Sequence, residues 1–569
     1  MKHMQQLIEC VPNFSEGRDM NVIHQIADEV KKVEGVRLID VDPGKATNRT
    51  VVTMVGTPDE VLEAAFRAVK KAKELIDMRK HKGAHPRFGA TDVCPLVPVS
   101  NITMDEVVVY ARRLAKRLAD ELNIPIYCYE YAAQTKERRN LAECRKGEYE
   151  ALGKRIESLD WKPDFGSCHW DEETQKSGAT AVGARNFLIA YNINLNTTST
   201  RRANAVAFDM RERGRVKREG GSLNGKIIRD EKGDPVNEPG LLKCVKGIGW
   251  YIEEYGIAQI SLNLTDISIT SMHKAFDVAC QRASARGLRV TGSELVGVVP
   301  LKAILDAGKY FLRKQNRSIG IADEEIIKIA VKSLGLDELY PFEPDKKIIE
   351  YILQNETKQN SLVDKSMADF VHETASESPA PGGGSVSAYL GALGSALGTM
   401  VANLSSHKRG WDSRVQEFSD WAEKGKYFHD ELLKMVDEDT HAFNKIMDAL
   451  QMPKMSDEEK RMRQKAIESA TKYAIEVPFK TMQLCYDSMD VMLEMAKVGN
   501  SNSVSDAGVG ALCARSGVLG AWLNVRINAK GLQDKVFVED VLKMGQVVVD
   551  KAKEKEVEIL KWVDHKIDQ

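Results

Sequence analysis

"QNETKQNSLVDKS", residues 354–366, is the stretch on which the fold reading turns. It is polar and reads as a linker between two stretches of different character. On its N-terminal side, short β-branched runs alternate with helical periods. On its C-terminal side nearly everything is helix-forming, broken only by "SPAPGGGS", "QMPKMSDEE" and "GNSNSVSDAG". The expected architecture is therefore an α/β N-terminal half joined to an all-α helical bundle. The boundaries fall at 1–187 and 188–353 for two α/β subdomains, 354–361 for the linker, and 362–569 for the bundle.

Upstream of the linker, "QLIECVPNF" reads as strand, residues 20–33 as helix, and "GVRLIDVD" and "RTVVTMVG" as strands. "PDEVLEAAFRAVKKAKELIDM" reads as a helix opened by Pro58, Asp59 and Glu60, with acids near the positive end of its dipole. "PIYCYEY" returns to strand. A similar order follows residue 186: strand "NFLIAYNINL", helix "RRANAVAFDMRERG", strand "IAQISLNLT", helix "SMHKAFDVACQRASARG", strand "LRVTGSELVG". This echo suggests two related α/β subdomains with a ligand cleft between them.

The totals bound the function. Of 569 residues, 43% are hydrophobic and 29% charged, as in a globular protein with sizeable cores. A net charge of −2 supplies no global field for nucleic acid or membrane, so neither is expected as a partner. Nine scattered cysteines with no CxxC point to reduced thiols and a cytoplasmic home, and the N-terminus lacks a signal-peptide run. "VSAYLGALGSALGTMVANL", residues 386–404, carries no charge, but its Gly, Ala and Ser content fits a close-packed bundle helix better than a membrane span.

Three motifs carry chemistry. "HKGAHPRFGATD", residues 81–92, sets two histidines four apart among Lys80, Lys82 and Arg87. Gly83 and Pro86 oppose the helix a His-x-x-x-His metal clip needs, and no third ligand stands nearby in sequence. A rigid loop presenting one imidazole among cations suits proton transfer on an anionic substrate, the alternative being a plain solvated loop. Asp42, in "VDPGKATNRT" with Lys45 and Arg49 behind it, could line the same cleft or merely end a strand. "PGGGS", residues 381–385, frees backbone N–H groups at a helix start or serves close packing. In "YFHDELLKMVDEDTHAFNKIMDAL", residues Leu432, Val436, Phe443, Ile446 and Leu450 form an apolar seam. Asp439 falls on that seam, unless Thr440 takes the place and Asp439 lies at its edge. A buried carboxylate is an acid/base candidate.

Together these stretches resemble a known family. "CVPNFSEGRD", "TNRT", "HKGAHPRFGATDVCP", "GATAVGARNFLIAYNINL" and "GIGWY" resemble the formiminotransferase half of the formiminotransferase-cyclodeaminases. "APGGGSV" and "VDEDTHAF" resemble the cyclodeaminase half. The resemblance runs in order over nearly the whole chain. It implies transfer of a formimino group from N-formimino-L-glutamate to N5 of tetrahydrofolate. Cyclisation to 5,10-methenyltetrahydrofolate with release of ammonia would follow, within histidine degradation. It further implies a polyglutamated folate co-substrate and self-association as an octamer; that no metal is needed is expected from the broken helix between His81 and His85 and the lack of clustered ligands. The alternative is a transferase only, with the helical half as an oligomerisation module.

The resemblance also assigns roles. His85, before proline, becomes the transferase acid/base; by their charge the nearby Lys82 and Arg87 would hold carboxylates of glutamate or folate, and Asp42, at its strand's mouth, is taken as a substrate contact of the same cleft. The folate-binding loop falls on "GSCHWDEETQKSG": Gly166, Ser167, Cys168, His169, Trp170 and Gly178, with a further contact at Asp209. This loop is longer and more acidic than its usual counterpart. Asp439 becomes the cyclodeaminase acid/base, and Gly382, Gly383 and Gly384 a folate-side backbone contact.

Overall fold

A computed structural model describes residues 6–44, 48–83, 87–221, 225–231, 233–354 and 361–569. His85, Lys45 and Pro86 lie outside the described residues. The chain forms two compact units. One holds Met1–Ile304 with Leu334–Leu353; the other holds Leu305–Ser333 with Gln354–Gln569.

The first unit opens with β1 (Leu7–Cys10), β2 (Asn13–Phe14), α1 (Met20–Lys31), β3 (Val36–Gly44), β4 (Arg49–Gly56), α2 (Pro58–Leu75), β5 (Thr91–Ser100), α3 (Met104–Leu122) and β6 (Ile126–Glu130). Short helices α4 (Leu141–Cys144), α5 (Glu148–Ile156) and α6 (Glu172–Ser177) precede β7 (Thr180–Ala184). β1 and β2 act as one interrupted strand, each pairing with both β4 and β5. β3 pairs antiparallel with β4, and β5, β7 and β6 run parallel. Helix ends are set locally. Asp19 caps α1 through the Asn21 and Val22 N–H groups, and Thr103 with Glu106 forms a capping box on α3. The apolar faces of α1, α2 and α3 share one core with Ile8, Met54 and Leu96 of the sheet.

The second sheet uses β8 (Ile189–Leu195), α7 (Thr200–Met210), the small ribbon β9 (Arg215–Val216) and β10 (Asn237–Glu238), β11 (Val245–Ile252), β12 (Ile257–Leu264), α8 (Met272–Ser284) and β13 (Val290–Val296). Its order is β11-β12-β8-β13, all antiparallel. Period-2 alternation separates its faces. Tyr191, Ile193, Leu195, Ile260 and Leu262 are buried apolar positions, while Asn192, Asn194, Gln259 and Glu294 are linked by hydrogen bonds. α9 (Leu301–Lys314), α10 (Asp323–Leu334), α11 (Pro344–Lys347) and α12 (Ile349–Gln354) follow.

The helical unit contains α13 (Met367–Thr374), α14 (Gly383–Ser406), α15 (Val415–Gln451), α16 (Asp457–Val498), α17 (Val504–Ala529) and α18 (Lys535–Ile567). The charge-free α14 packs against α15, α16 and α17. Its small residues permit that approach. A methyl on Gly394 would stand 2.6 Å from the Gly510 carbonyl, so close backbone packing accounts for the membrane-like composition.

Two details differ from the sequence reading. Residues 305–333, placed by sequence in the second α/β subdomain, pack within the helical unit. Asn403 donates to the Gly320 carbonyl (2.7 Å), and Lys426 pairs with Asp323 (2.9 Å). The α15 seam also shifts. Phe443 is 38% and Leu450 44% exposed, while Leu432, Met435, Val436, Ala442 and Ala449 are buried. Past residue 440 the contact with α16 is made by small residues, Ala442 against Ala474 and Val477. The resulting stripe, 432-435-439-442-446-449, still runs through Asp439.

Candidate functional site

In the α/β unit, a cavity of about 780 Å³ is lined by His81, Lys82, Arg87, Tyr149, Glu150 and Trp170, among others. His81 stands directly after the Asp77–Lys80 turn that follows α2. Its Nε2 lies 2.8 Å from the Asn48 carbonyl, and Arg87 Nε donates to its Nδ1 at 3.3 Å. A carbonyl only accepts and a guanidinium only donates, so the ring is neutral with its proton on Nε2. Burial pushes its pKa below the usual histidine value; the Asn48 carbonyl opposes this and the Arg87 charge adds to it. His81 thus spends both ring nitrogens on structure.

Asn48 is the hub behind it. Its Nδ2 donates to the Lys82 carbonyl (3.1 Å), and its Oδ1 accepts the Gly17 N–H (3.0 Å). Its φ of 49° is a left-handed value that asparagine tolerates. Arg87 is the other anchor. Its side chain is 9% exposed and bridges Glu148 (2.9 Å) and Glu150 (2.8 Å) at the start of α5. The Glu150 bond above all raises the Arg87 pKa, and Arg87 lowers that of Glu150. Arg87, expected to hold a substrate carboxylate, lines the cavity with two protein carboxylates paired to its fork. Lys82 is exposed at the cavity. Asp92 is fully buried beneath, 3.2 Å from Arg145, and accepts the Phe88 N–H. Burial raises its pKa, against the opposing pull of Arg145 and Arg49.

The 166–178 loop is fixed by its glycines. Gly166 (φ 88°) and Gly178 (φ 64°) adopt left-handed backbone, and a side chain at either would collide with a carbonyl, that of Ile124 or Phe88. Between them Asp171 caps α6 by accepting the Thr174 N–H. Trp170 packs on Tyr149 with ring centres 5.6 Å apart and lines the cavity. Ser167, Cys168 and His169 do not line it; Ser167 Oγ accepts the His169 N–H in a local turn. Asp209 lies on α7, bound by Arg215 and by Arg286 (2.5 Å), and Asp42 is an exposed residue of β3 paired with Val51. Neither lines the cavity.

In the helical unit, Asp439 meets the N-terminus of α14. The Ser385 N–H donates to Asp439 Oδ2 (3.0 Å), and Ser385 Oγ lies 3.3 Å from the same oxygen while donating to the Val436 carbonyl (2.8 Å). Gly384 packs against the carboxylate so closely that a Cβ there would overlap it. Burial raises the Asp439 pKa, and the two Ser385 contacts offset part of that rise. Gly382 is the N-cap and Gly383 the exposed first helical residue, beside the Asn524 amide.

Comparison with known proteins matches the chain over nearly its whole length. Residues 7–185 match the N-terminal subdomain of the formiminotransferase domain, 190–354 the formiminotransferase domain, and 366–546 the formiminotransferase-cyclodeaminase model. The formimidoyltransferase-cyclodeaminase of Gallus gallus is 43% identical over 552 residues, covering 97% of each chain. That of Rattus norvegicus is 42% identical over 536 residues, 94% of this chain and 95% of its own. The chain belongs to the formiminotransferase-cyclodeaminase family. The glutamate formimidoyltransferase of Streptococcus pyogenes serotype M1 is 39% identical over 314 residues, 55% of this chain and 95% of its own.

Within the formiminotransferase half, the structure brings His81, Lys82, Arg87 and Trp170 to one cavity. Within the cyclodeaminase half it joins Asp439 to Gly384. Asn48, Glu148, Glu150 and Ser385 escaped the sequence reading. "TNRT" hinted at the first and "PGGGS" at the last, but no local pattern joins Glu148, Glu150 or Ser385 to its partner, 54 to 63 residues away. Among the described residues no group of three or more His, Cys, Asp or Glu side chains is placed to hold a metal ion.

Proposed function

We infer that this chain runs two consecutive reactions on one folate. It moves the formimino group from N-formimino-L-glutamate to N5 of tetrahydrofolate, then closes the ring to 5,10-methenyltetrahydrofolate with loss of ammonia. The observation that carries this beyond family membership is Asp439. A carboxyl on a buried stripe, with its pKa raised, faces the glycine-rich end of α14.

In the transfer step N5 loses a proton as it attacks the formimino carbon, and the glutamate nitrogen gains one. One imidazole serves both, and His85 takes that role because His81 has neither ring nitrogen free. Lys82 holds a substrate carboxylate, and Trp170 with Tyr149 offers an aromatic wall to the folate ring system. In the cyclisation N10 attacks the same carbon. On the protonated formimino group, N5–CH=NH2+, the N10–C bond forms, N10 gives up its proton, the –NH2 nitrogen takes one, and its bond to carbon breaks, releasing ammonia and leaving the cationic methenyl bridge. The Asp439 carboxyl relays that proton, so it ends as it began.

The reading extends to a polyglutamated folate, a cytoplasmic setting in histidine breakdown, activity without a metal, and assembly into an octamer. Incubation with formiminoglutamate and tetrahydrofolate tests it. Methenyl absorbance and ammonia should rise together. Accumulation of 5-formiminotetrahydrofolate without ammonia would leave a transferase only, with the bundle as an assembly module.

A further inference from the structure

Asp439 Oδ2 and Oδ1 live in different surroundings. Oδ2 takes the Ser385 N–H at 3.0 Å and has Ser385 Oγ at 3.3 Å. For Oδ1, no hydrogen bond is present among the described residues; it lies against the Cα face of Gly384, where a Cβ would overlap it. Ser385 is fully buried, and its hydroxyl is spent on the Val436 carbonyl at 2.8 Å, one turn before Asp439 on α15. α14 and α15 are thereby pinned at the one place where the carboxyl stands. A proton on this carboxyl belongs on Oδ1, since Oδ2 already receives an N–H.

We propose that Ser385 and Gly384 are positioning residues of the cyclodeaminase: Ser385 fixes one carboxyl oxygen, and Gly384 leaves the room in which the other carries the proton toward substrate. The proposal rests on the reading of Asp439 as the proton relay. Three consecutive glycines are then unequal. Gly382 caps the helix and Gly383 is exposed, whereas Gly384 is the one whose missing side chain the carboxyl occupies. Adding a methyl there displaces the carboxyl while favouring the helix, because alanine is the better helix former. The helix gain offsets the crowding, so function should fall while stability stays near wild type.

The test uses the full chain and four variants: Gly384→Ala, Ser385→Ala, Asp439→Asn and the Gly384→Ala/Asp439→Asn double. In Gly384→Ala, kcat for cyclisation should fall about 10²-fold, within the range for a misplaced acid/base. KM for 5-formiminotetrahydrofolate, transfer activity and thermal midpoint should hold. Ser385→Ala keeps the N–H bond to Oδ2 but removes the hydroxyl that ties α14 to the Val436 carbonyl of α15; with that tie gone the same kcat should fall roughly tenfold, one hydrogen bond's worth, again without a KM change. On the Asp439→Asn background the Gly384→Ala change should cost nothing further. Wild-type kcat in Gly384→Ala overturns the proposal, as does a further loss in the double variant or an effect confined to KM. If Gly384→Ala does not fold, Ser385→Ala decides alone, and wild-type kcat there overturns it. Full cyclisation by Asp439→Asn would instead remove the relay reading itself, an outcome separate from the others.

Discussion

The division of labour between the two histidines of "HKGAHPRFGATD" is open to a sharp test. His81 makes two bonds, its Nε2–H to the Asn48 carbonyl at 2.8 Å and its Nδ1 from Arg87 Nε–H at 3.3 Å. His81→Ala forfeits both, at a net cost of about 0.5–1.5 kcal/mol each. It also strips the donor from the carbonyl of buried Asn48, adding roughly 1–3 kcal/mol. The local penalty is therefore about 2–6 kcal/mol, felt as looser ordering around the cavity rather than as a missing proton carrier. Glutamine places an N–H donor and a carbonyl acceptor about as far apart as the two ring nitrogens, so His81→Gln should recover most of the loss. His85→Ala should lower kcat for transfer by about 10²–10⁴-fold, and glutamine there should not help. Acidity gives a second readout. The folded His81 pKa lies below its ordinary 6.5, so the unfolded chain binds the extra proton first. The contribution of His81 to stability is complete above that value and is lost as pH falls through it toward the folded pKa. His81→Gln should flatten this acid-side decline. Steady-state transfer kinetics and urea unfolding from pH 5 to 8 would measure both. Should His81→Ala cost more kcat than His85→Ala, or should glutamine at 81 rescue nothing, the assignment fails.

Further outcomes follow from the same geometry. Asp439→Asn should fold, transfer normally and accumulate 5-formiminotetrahydrofolate; in the wild type the proton-donating form is lost as pH rises through the raised pKa, so cyclisation should decline on the alkaline side. Asp437→Asn is a milder change in chemistry but not a silent one, because Asp437 binds Ser361 Oγ and the Leu362 N–H, both at 2.7 Å; its effect should appear as loosened docking of residues 361–362, visible in hydrogen exchange. Burial raises the Glu9 carboxyl from 4.5 to about 7, against the opposing charge of Arg185. The fold there is most stable below 4.5 and loses about 3 kcal/mol as pH rises through 7, so Glu9→Gln should slow hydrogen exchange of β1 relative to wild type at pH 8. A fragment of residues 362–569 lacks the 305–333 segment that binds Ser419, Glu423 and Lys426, and should melt below the bundle of the intact chain in calorimetry. Prolonged chelation should leave both activities intact; loss of either without unfolding would refute metal independence.

Sequence alone determined the two-part organisation, because strand and helix periodicities are local and the polar stretch at 354–366 separates them. It also singled out the loop of His81, the glycine run and Asp439, since those signals lie within a turn or two of chain. Tertiary structure decided what each residue is used for. Arg87 looks like a free cation in sequence, yet Glu148 and Glu150 occupy it across 61 and 63 residues. Phe443 looks like core by spacing, yet the α15–α16 contact closes on Ala442 instead. Residues 305–333 follow the second sheet in sequence but pack with the bundle. Asp439 was ambiguous with Thr440 until α14 was in place, because a helical period defines a stripe but not which neighbour covers it. Which carboxylate is buried, and against which N–H, is settled only when elements distant in sequence meet.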